Sequence, residues 1–215
     1  MKRLEPQLGE NPIPASINRA VWEALDTGDD ITGLVFSDDT LESVSFEKLE
    51  WNGCVFSHIR FEEPIGNRPM FSNCLFEGCE FDGLKLSKGL FHRCRFVNCR
   101  FAGTEIADFT IMHTLFDHCQ LRYATFCDGK MEQTEFIGCE AEKIAFNYIP
   151  FKNVRFDEVR MPLCEFSGFP LKGIDLSSCD ISGIRIRPED LRGAVLTVVQ
   201  AVELVRLLGI VIKDR

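Results

Sequence analysis

The sequence predicts an all-β solenoid, a chain that winds in one sense around a packed apolar axis, and three observations point there. First, phenylalanine occurs 19 times against two Trp and two Tyr, and so large an excess of one residue marks a recurring slot. Second, stepping by five from Phe71, Phe76 and Phe81 in both directions, from Ile31 to Leu196, meets an apolar residue at every one of 34 positions except Gly66. Third, a second slot two residues before each of these ruler positions takes small or β-branched residues and holds nine of the ten cysteines, Cys127 being the exception. All 19 phenylalanines fall in one slot or the other, 17 on the ruler together with Phe109 and Phe169. Two anomalies of composition therefore have one cause.

A period of five fits neither the 3.6 of a helix nor the alternation of a long strand. Two inward residues separated by an outward one make a minimal extended step. The pairs between steps, such as Ser72-Asn73, Asp82-Gly83 and Val97-Asn98, carry the residues that favour turns. A chain that turns every five residues in the same sense becomes a coil with the large slot on its axis.

Before the repeats, residues 1–30 read as a cap. Ser16 is placed to N-cap a helix from about Ile17 to Leu25, with Ala20, Val21, Ala24 and Leu25 on its apolar side. The repeats run from 31 to 196. Their one break, EEPIGNRPM over residues 62–70, puts Pro64 and Pro69 in the small slot and Gly66 on the ruler; it reads as a bulging coil or a projecting loop. In residues 197–215, Thr197 is placed to cap a helix to Leu208, with Gly209 as its stop and IVIKD as a short strand beyond. Val198, Ala201, Val202, Leu204, Val205, Leu207 and Leu208 cover more than one face of that helix, and the surplus points to a subunit interface.

Composition excludes several classes. A net charge of −9 with 45% hydrophobic and 27% charged residues fits one soluble domain and argues against disorder. No apolar run approaches the roughly 20 residues needed to span a bilayer, and the start MKRLEPQLGENPIP lacks the apolar core of a secretory signal. A cytoplasmic protein is expected, so the ten cysteines do not read as a disulfide framework.

Segments such as CLFEG, CEFDG, CRFVN, CRFAG, CDISG and IDLSS resemble the pentapeptide-repeat family, whose unit is a small residue, a polar residue, Leu or Phe, and two variable residues. The resemblance covers about residues 31–196. It implies a right-handed quadrilateral β-helix of four repeats and 20 residues per coil, hence about eight coils with short helical caps. At the spacing of neighbouring strands this is a rod of roughly 40 Å. QAVELVRLLGIVIKD further resembles the C-terminal end of Qnr-type and mycobacterial fluoroquinolone-resistance proteins. That likeness implies a homodimer joined through Val198, Ala201, Val202, Leu204, Val205 and Leu208.

Twenty residues per coil places Cys79, Cys99, Cys119 and Cys139 in one interior column. Zinc needs tetrahedral convergence, which a linear stack does not supply, and small buried hydrophobes chosen for volume is the better reading. Cys127 falls at a corner and is the candidate reactive thiol. His58, His92, His113 and His118 also fall at corners, facing outward, without metal-ligand spacing. With no P-loop, dinucleotide fingerprint or nucleophile elbow, and a filled axis, no catalytic, cofactor or metal site is expected.

Two functions remain. A non-enzymatic DNA mimic would offer an acidic rod to bacterial DNA gyrase or topoisomerase IV and modulate quinolone susceptibility; its candidate contacts are the outward acids Glu77, Glu80, Asp82, Glu105, Asp108, Asp117 and Asp128. The alternative is a protein-binding scaffold with another partner. Neither binds nucleic acid directly. Residues 1–50 hold eleven acidic and four basic side chains, a net of −7, which leaves −2 of the −9 for the other 165. Acids and arginines 20 apart, Glu80 with Arg100 and Glu140 with Arg160, are expected to neutralise one another between coils.

Overall fold

The computed structural model describes residues 3–9, 12–42, 49–62, 68–168, 170–211 and 213. The repeats form a parallel β-solenoid of about eight coils, each strand pairing with the one 20 residues on, as in Arg95↔Leu115, Phe96↔Phe116 and Val97↔Asp117. Four faces result. Face I carries ruler residues 31, 51, 71, 91, 111, 131 and 151, and face II carries 36 through 156. Face III, from Leu41 on, has two short strands at Thr40–Leu41 and Arg60–Phe61 and continues as single bridges from Arg60 to Asp180. Face IV begins at Lys85–Ser87 and ends at Arg185–Ile186. Residues 63–67 of the expected interruption, Phe46 and Phe169 lie outside the described residues.

The ruler works because coil spacing matches aromatic stacking. On face II, Phe56, Phe76, Phe96, Phe116, Phe136 and Phe156 stack in succession at 4.6, 4.6, 5.0, 4.8 and 5.1 Å. Rings on adjacent faces meet edge to face, as Phe96 and Phe101 do at 5.3 Å and 79°. Both are geometries that the ring quadrupole favours. Such rings are essentially fully buried, each worth about 2–3 kcal/mol by area removed from water.

The second slot is chemically more specific than its volume suggests. Four thiols of one column donate to the carbonyl of the ruler residue 23 positions earlier: Cys79 to Phe56, Cys99 to Phe76, Cys119 to Phe96 and Cys139 to Phe116, all at 3.4 Å. Thr104 makes the same bond to Phe81 at 2.7 Å. Cys and Thr thus fill the slot with a small side chain that also donates, while Ala124, Val154 and Ile174 fill it without a donor. Phe109 is the exception by size; a Cβ on Gly129, one coil later in the same slot, would come within 2.4 Å of its ring, so the glycine makes the room.

At most of the described corners the second residue after the ruler position is left-handed. Eighteen non-glycine residues, including Asn73, Asn98, Asp108 and Asp128, have φ between 50° and 60° there. This costs about 1 kcal/mol apiece; nine of the eighteen are Asn, Asp or His, and the others include Lys, Arg, Tyr and Leu. His58, His113 and His118 occupy such positions, which accounts for their placement.

The N-terminal end is closed twice. Strand β1 (Ile13–Pro14) extends face II by pairing with Leu34 and Val35. Helix α1 (Ile17–Thr27) then buries Ile17, Ala20, Val21 and Ala24. Two expectations fail in detail. Leu25 is exposed, and the helix runs two residues further. Ser16 sits at the N-cap but makes no side-chain bond; Asp39 Oδ2 instead accepts the Ile17 N–H at 3.3 Å. An acceptor from the coil does the work expected of the local serine.

At the other end, helix α2 (Val198–Val205) starts with a capping box between Thr197 and Gln200 and passes into a 3-10 turn over Arg206–Leu208, closed by left-handed Gly209. The Gln200 amide also donates to the carbonyls of Leu176 at 2.9 Å and Cys179 at 2.8 Å. These acceptors face the open end of the coil, so a single side chain both starts the helix and ties it to the last turn. The short strand expected at IVIKD is absent among its described residues 210, 211 and 213.

Residues 3–9 do not stay at the end they come from. They run back along the corner between faces I and II, where Gln7 N–H reaches Asn73 Oδ1, Leu4 N–H reaches His113 Nδ1, and Arg3 Nε approaches Glu135. The six extended steps from residue 3 to residue 9 cover about 20 Å, which matches four coil spacings of about 4.8 Å each.

Candidate functional site

Because the axis is filled with rings, the chemistry available to a partner lies on the outer surface. Among the described residues no group of three or more His, Cys, Asp or Glu could hold a metal ion, and no helix is long and apolar enough to cross a membrane. The cysteines are all free thiols. Burial pushes Cys94 and Cys164 up to about 12, so these two interior thiols are neutral. Cys127 is half-buried, and burial, Asp128 and Glu105 raise its pKa. That corrects the expectation of a reactive thiol, which needs an electropositive setting.

Face III is a ladder of alternating charge. Arg60, Glu80, Arg100, Gln120, Glu140, Arg160 and Asp180 follow one another through the coils. Arg100 bonds Glu80 at 3.2 Å and also pairs with Asp82, and Arg160 bonds Glu140 at 3.4 Å. Each exposed rung contributes about 0.2–1 kcal/mol. An open hollow of ≈ 590 Å³ lies here, lined by Arg60, Glu62, Glu80, Asp82 and Arg100; both signs are present, and they pair with each other.

The seven candidate acids do not form one stripe. Glu80 and Asp82 belong to the face III ladder. Asp117, on face II, pairs with Arg95 at 2.9 Å and His118 at 2.7 Å. Burial alone would raise the Asp117 carboxyl, but the Arg95 guanidinium and the His118 ring hold it below its ordinary value. Glu77 is exposed on face II. Only Glu105, Asp108 and Asp128 come together, exposed on face IV and its corner with face I. Facing inward or outward was legible from the period, whereas pairing with an arginine one coil away separates spent acids from available ones.

Of the candidate interface residues on α2, Val198 is 81% exposed, and Val202 and Ala201 are also exposed. Val199, not among the candidates, is 71% exposed. Leu204 is the correction: it is buried in the chain's own core, because it points back at the last coil. Val205 is half-buried, and the side chain of Leu208 lies outside the described residues.

His92 and His113 also depart from expectation. Both are half-buried at the corner that residues 3–9 cover, with ring centroids 6.0 Å apart. His58 and His118 stay at the exposed corner between faces II and III.

No curated protein matches the chain. Among solved structures, trypsin-treated QnrB1, a plasmid-mediated fluoroquinolone resistance protein, is 19% identical over 86% of this chain and 100% of its own, with a TM-score of 0.42. HetL, a pentapeptide-repeat protein involved in heterocyst differentiation regulation in the cyanobacterium Nostoc, is 10% identical over 82% of this chain and 95% of its own, with a TM-score of 0.26. Rfr23, a pentapeptide-repeat protein from the cyanobacterium Cyanothece, is 9% identical over 85% of this chain and 100% of its own, with a TM-score of 0.21. The family model described as a pentapeptide repeat region matches residues 70–146. The same five-residue step extends on both sides of that span, so residues 70–146 are similar to the pentapeptide repeat region and the pattern continues beyond them.

Proposed function

We propose that the protein is a non-enzymatic protein-binding rod, a homodimer through its C-terminal segment, whose partner is a bacterial type II topoisomerase bound by DNA mimicry. The observation that carries the binding role is the filled aromatic axis, which leaves recognition to the outer faces. The mimicry rests on charge. The body neutralises itself through the face III ladder, so the uncompensated acidity lies in residues 1–50, at −7, and in the exposed acids Glu105, Asp108 and Asp128. Carboxylates presented to a basic DNA-binding groove would replace phosphate contacts. The choice of DNA gyrase or topoisomerase IV rests on the resemblance of residues 200–214 to Qnr-type proteins.

The scattering of the seven candidate acids over three faces favours a second reading, a general interaction scaffold with a different partner. Titration of the protein into a gyrase supercoiling assay, with and without a quinolone and at two salt concentrations, separates the two. The mimic predicts salt-sensitive inhibition or drug protection that weakens when Glu105, Asp108 and Asp128 are replaced together by Gln, Asn and Asn. No effect at protein concentrations well above the enzyme's would leave the scaffold.

A further inference from the structure

The segment 3–9 has a contact that neither the repeat pattern nor the proposed partner uses. Its two amide bonds to the coil are of one kind: a backbone N–H given to the side chain of a left-handed corner residue. Gln7 N–H goes to Asn73 Oδ1 and Leu4 N–H to His113 Nδ1, both at 3.3 Å. Between them the corner is sealed. Leu115 and Gln133, at positions that point outward, are only 5% and 4% exposed. The Arg3 side chain is 10% exposed and lies between Glu5 at 2.7 Å and Glu135 at 3.4 Å.

The two contacts differ in one respect. An amide oxygen accepts at any pH, whereas an imidazole Nδ1 accepts only while the ring is neutral with its proton on Nε2. Protonation of His113 converts the acceptor into a donor facing an N–H. It also places a new positive charge among Arg3, Arg93 and His92, with Glu132 the acid that opposes it. The Nε atoms of Arg93 and Arg95 are buried at the same corner without a hydrogen-bond partner among the described residues, so the surroundings are already rich in cation.

We propose that residues 3–9 form an acid-released latch, held on the corner between faces I and II by neutral His113 and set free when that ring is protonated. The direction of titration agrees. Burial, followed by Arg93 and Arg3, lowers the His113 pKa from its ordinary 6.5, against the opposing pull of Glu132. A depressed histidine pKa means that the latched state binds fewer protons than the free one. The latch contribution is therefore complete above about pH 6.5 and is lost as pH falls through the lower, latched value. Release uncovers Leu115, Gln133 and the buried Nε atoms of the two arginines.

Amide NMR on the full chain tests this, with {1H}-15N heteronuclear NOEs of Leu4 and Gln7 followed from pH 8 to pH 5 beside the ring resonances of His113. The expected result is NOEs at pH 8 as high as those of the coils, dropping toward those of a free terminus with a midpoint that tracks the ring, while amides on faces III and IV, away from that corner, hold their shifts. His113→Asn copies the Asn73 contact without a titrating group and is expected to keep residues 3–9 seated at both pH values. His92→Asn is expected to leave the release in place. Arm NOEs that stay high while the His113 ring titrates would overturn the proposal, as would release of the His113→Asn variant at the wild-type midpoint.

Discussion

The two ends of the rod solve one problem in opposite ways. Each must cover the open edge of a coil. At the N-terminal end β1 pairs with the edge strand, and α1 lays Ile17, Ala20, Val21 and Ala24 over the core with polar residues outward, apart from the exposed pair Trp22 and Leu25. At the C-terminal end α2 buries Leu204 alone and turns Val198, Val199 and Val202 to the outside. The first end is finished within one chain. The second covers its own edge and then presents a new apolar surface, which is what a subunit contact requires and a terminal cap does not.

That contrast can be broken by substitution. Val21→Asp at the finished end places an unpaired carboxylate at a site 1% exposed and is expected to cost about 3–5 kcal/mol in urea unfolding. A loss under 1 kcal/mol would show that α1 is not integral to the core. At the open end, Gln200→Ala removes the capping box and the bonds to Leu176 and Cys179 together. Its expected cost is about 1–3 kcal/mol, read by the same titration, with helix content falling first.

A comparison within the body comes next. Asp117→Asn should cost about 0.5–1 kcal/mol near neutral pH. Because the folded pKa of Asp117 lies below the ordinary 3.8, its contribution is present above that value and disappears as pH falls through the folded one. The wild-type and variant unfolding curves are therefore expected to converge in acid. The smallest effect on protomer stability, within about 0.5 kcal/mol, belongs to the double change Val198→Asp, Val202→Asp. Light scattering should nevertheless show dimers becoming monomers, and a dimer that survives both changes would place the interface elsewhere. Leu204 is unsuitable for that test, since its replacement damages the chain's own core.

Much of the coil was legible beforehand for a definite reason. Every ruler residue meets the same environment, so Phe76, Phe96 and Phe116 obey one rule, and so do Cys79, Cys99 and Cys119. The charge pairs of face III were legible through the same 20-residue relation. Features that occur once were not. Asp39 replaces Ser16 as the acceptor for α1, Gly129 makes room for Phe109, and Arg95 withdraws Asp117 from the surface available to a partner. None of these leaves a periodic trace.

Sequence alone determined the five-residue step, its two inward slots and the turn between them, because these depend on local backbone preference and on a neighbour always 20 residues away. Tertiary structure decided which acids stay unpaired, which face of α2 is left open and where residues 3–9 lie. Those outcomes depend on single contacts between distant parts of the chain, Arg3 with Glu135 or Gln200 with Leu176, and their energies are settled only when the coils between have already brought the partners together.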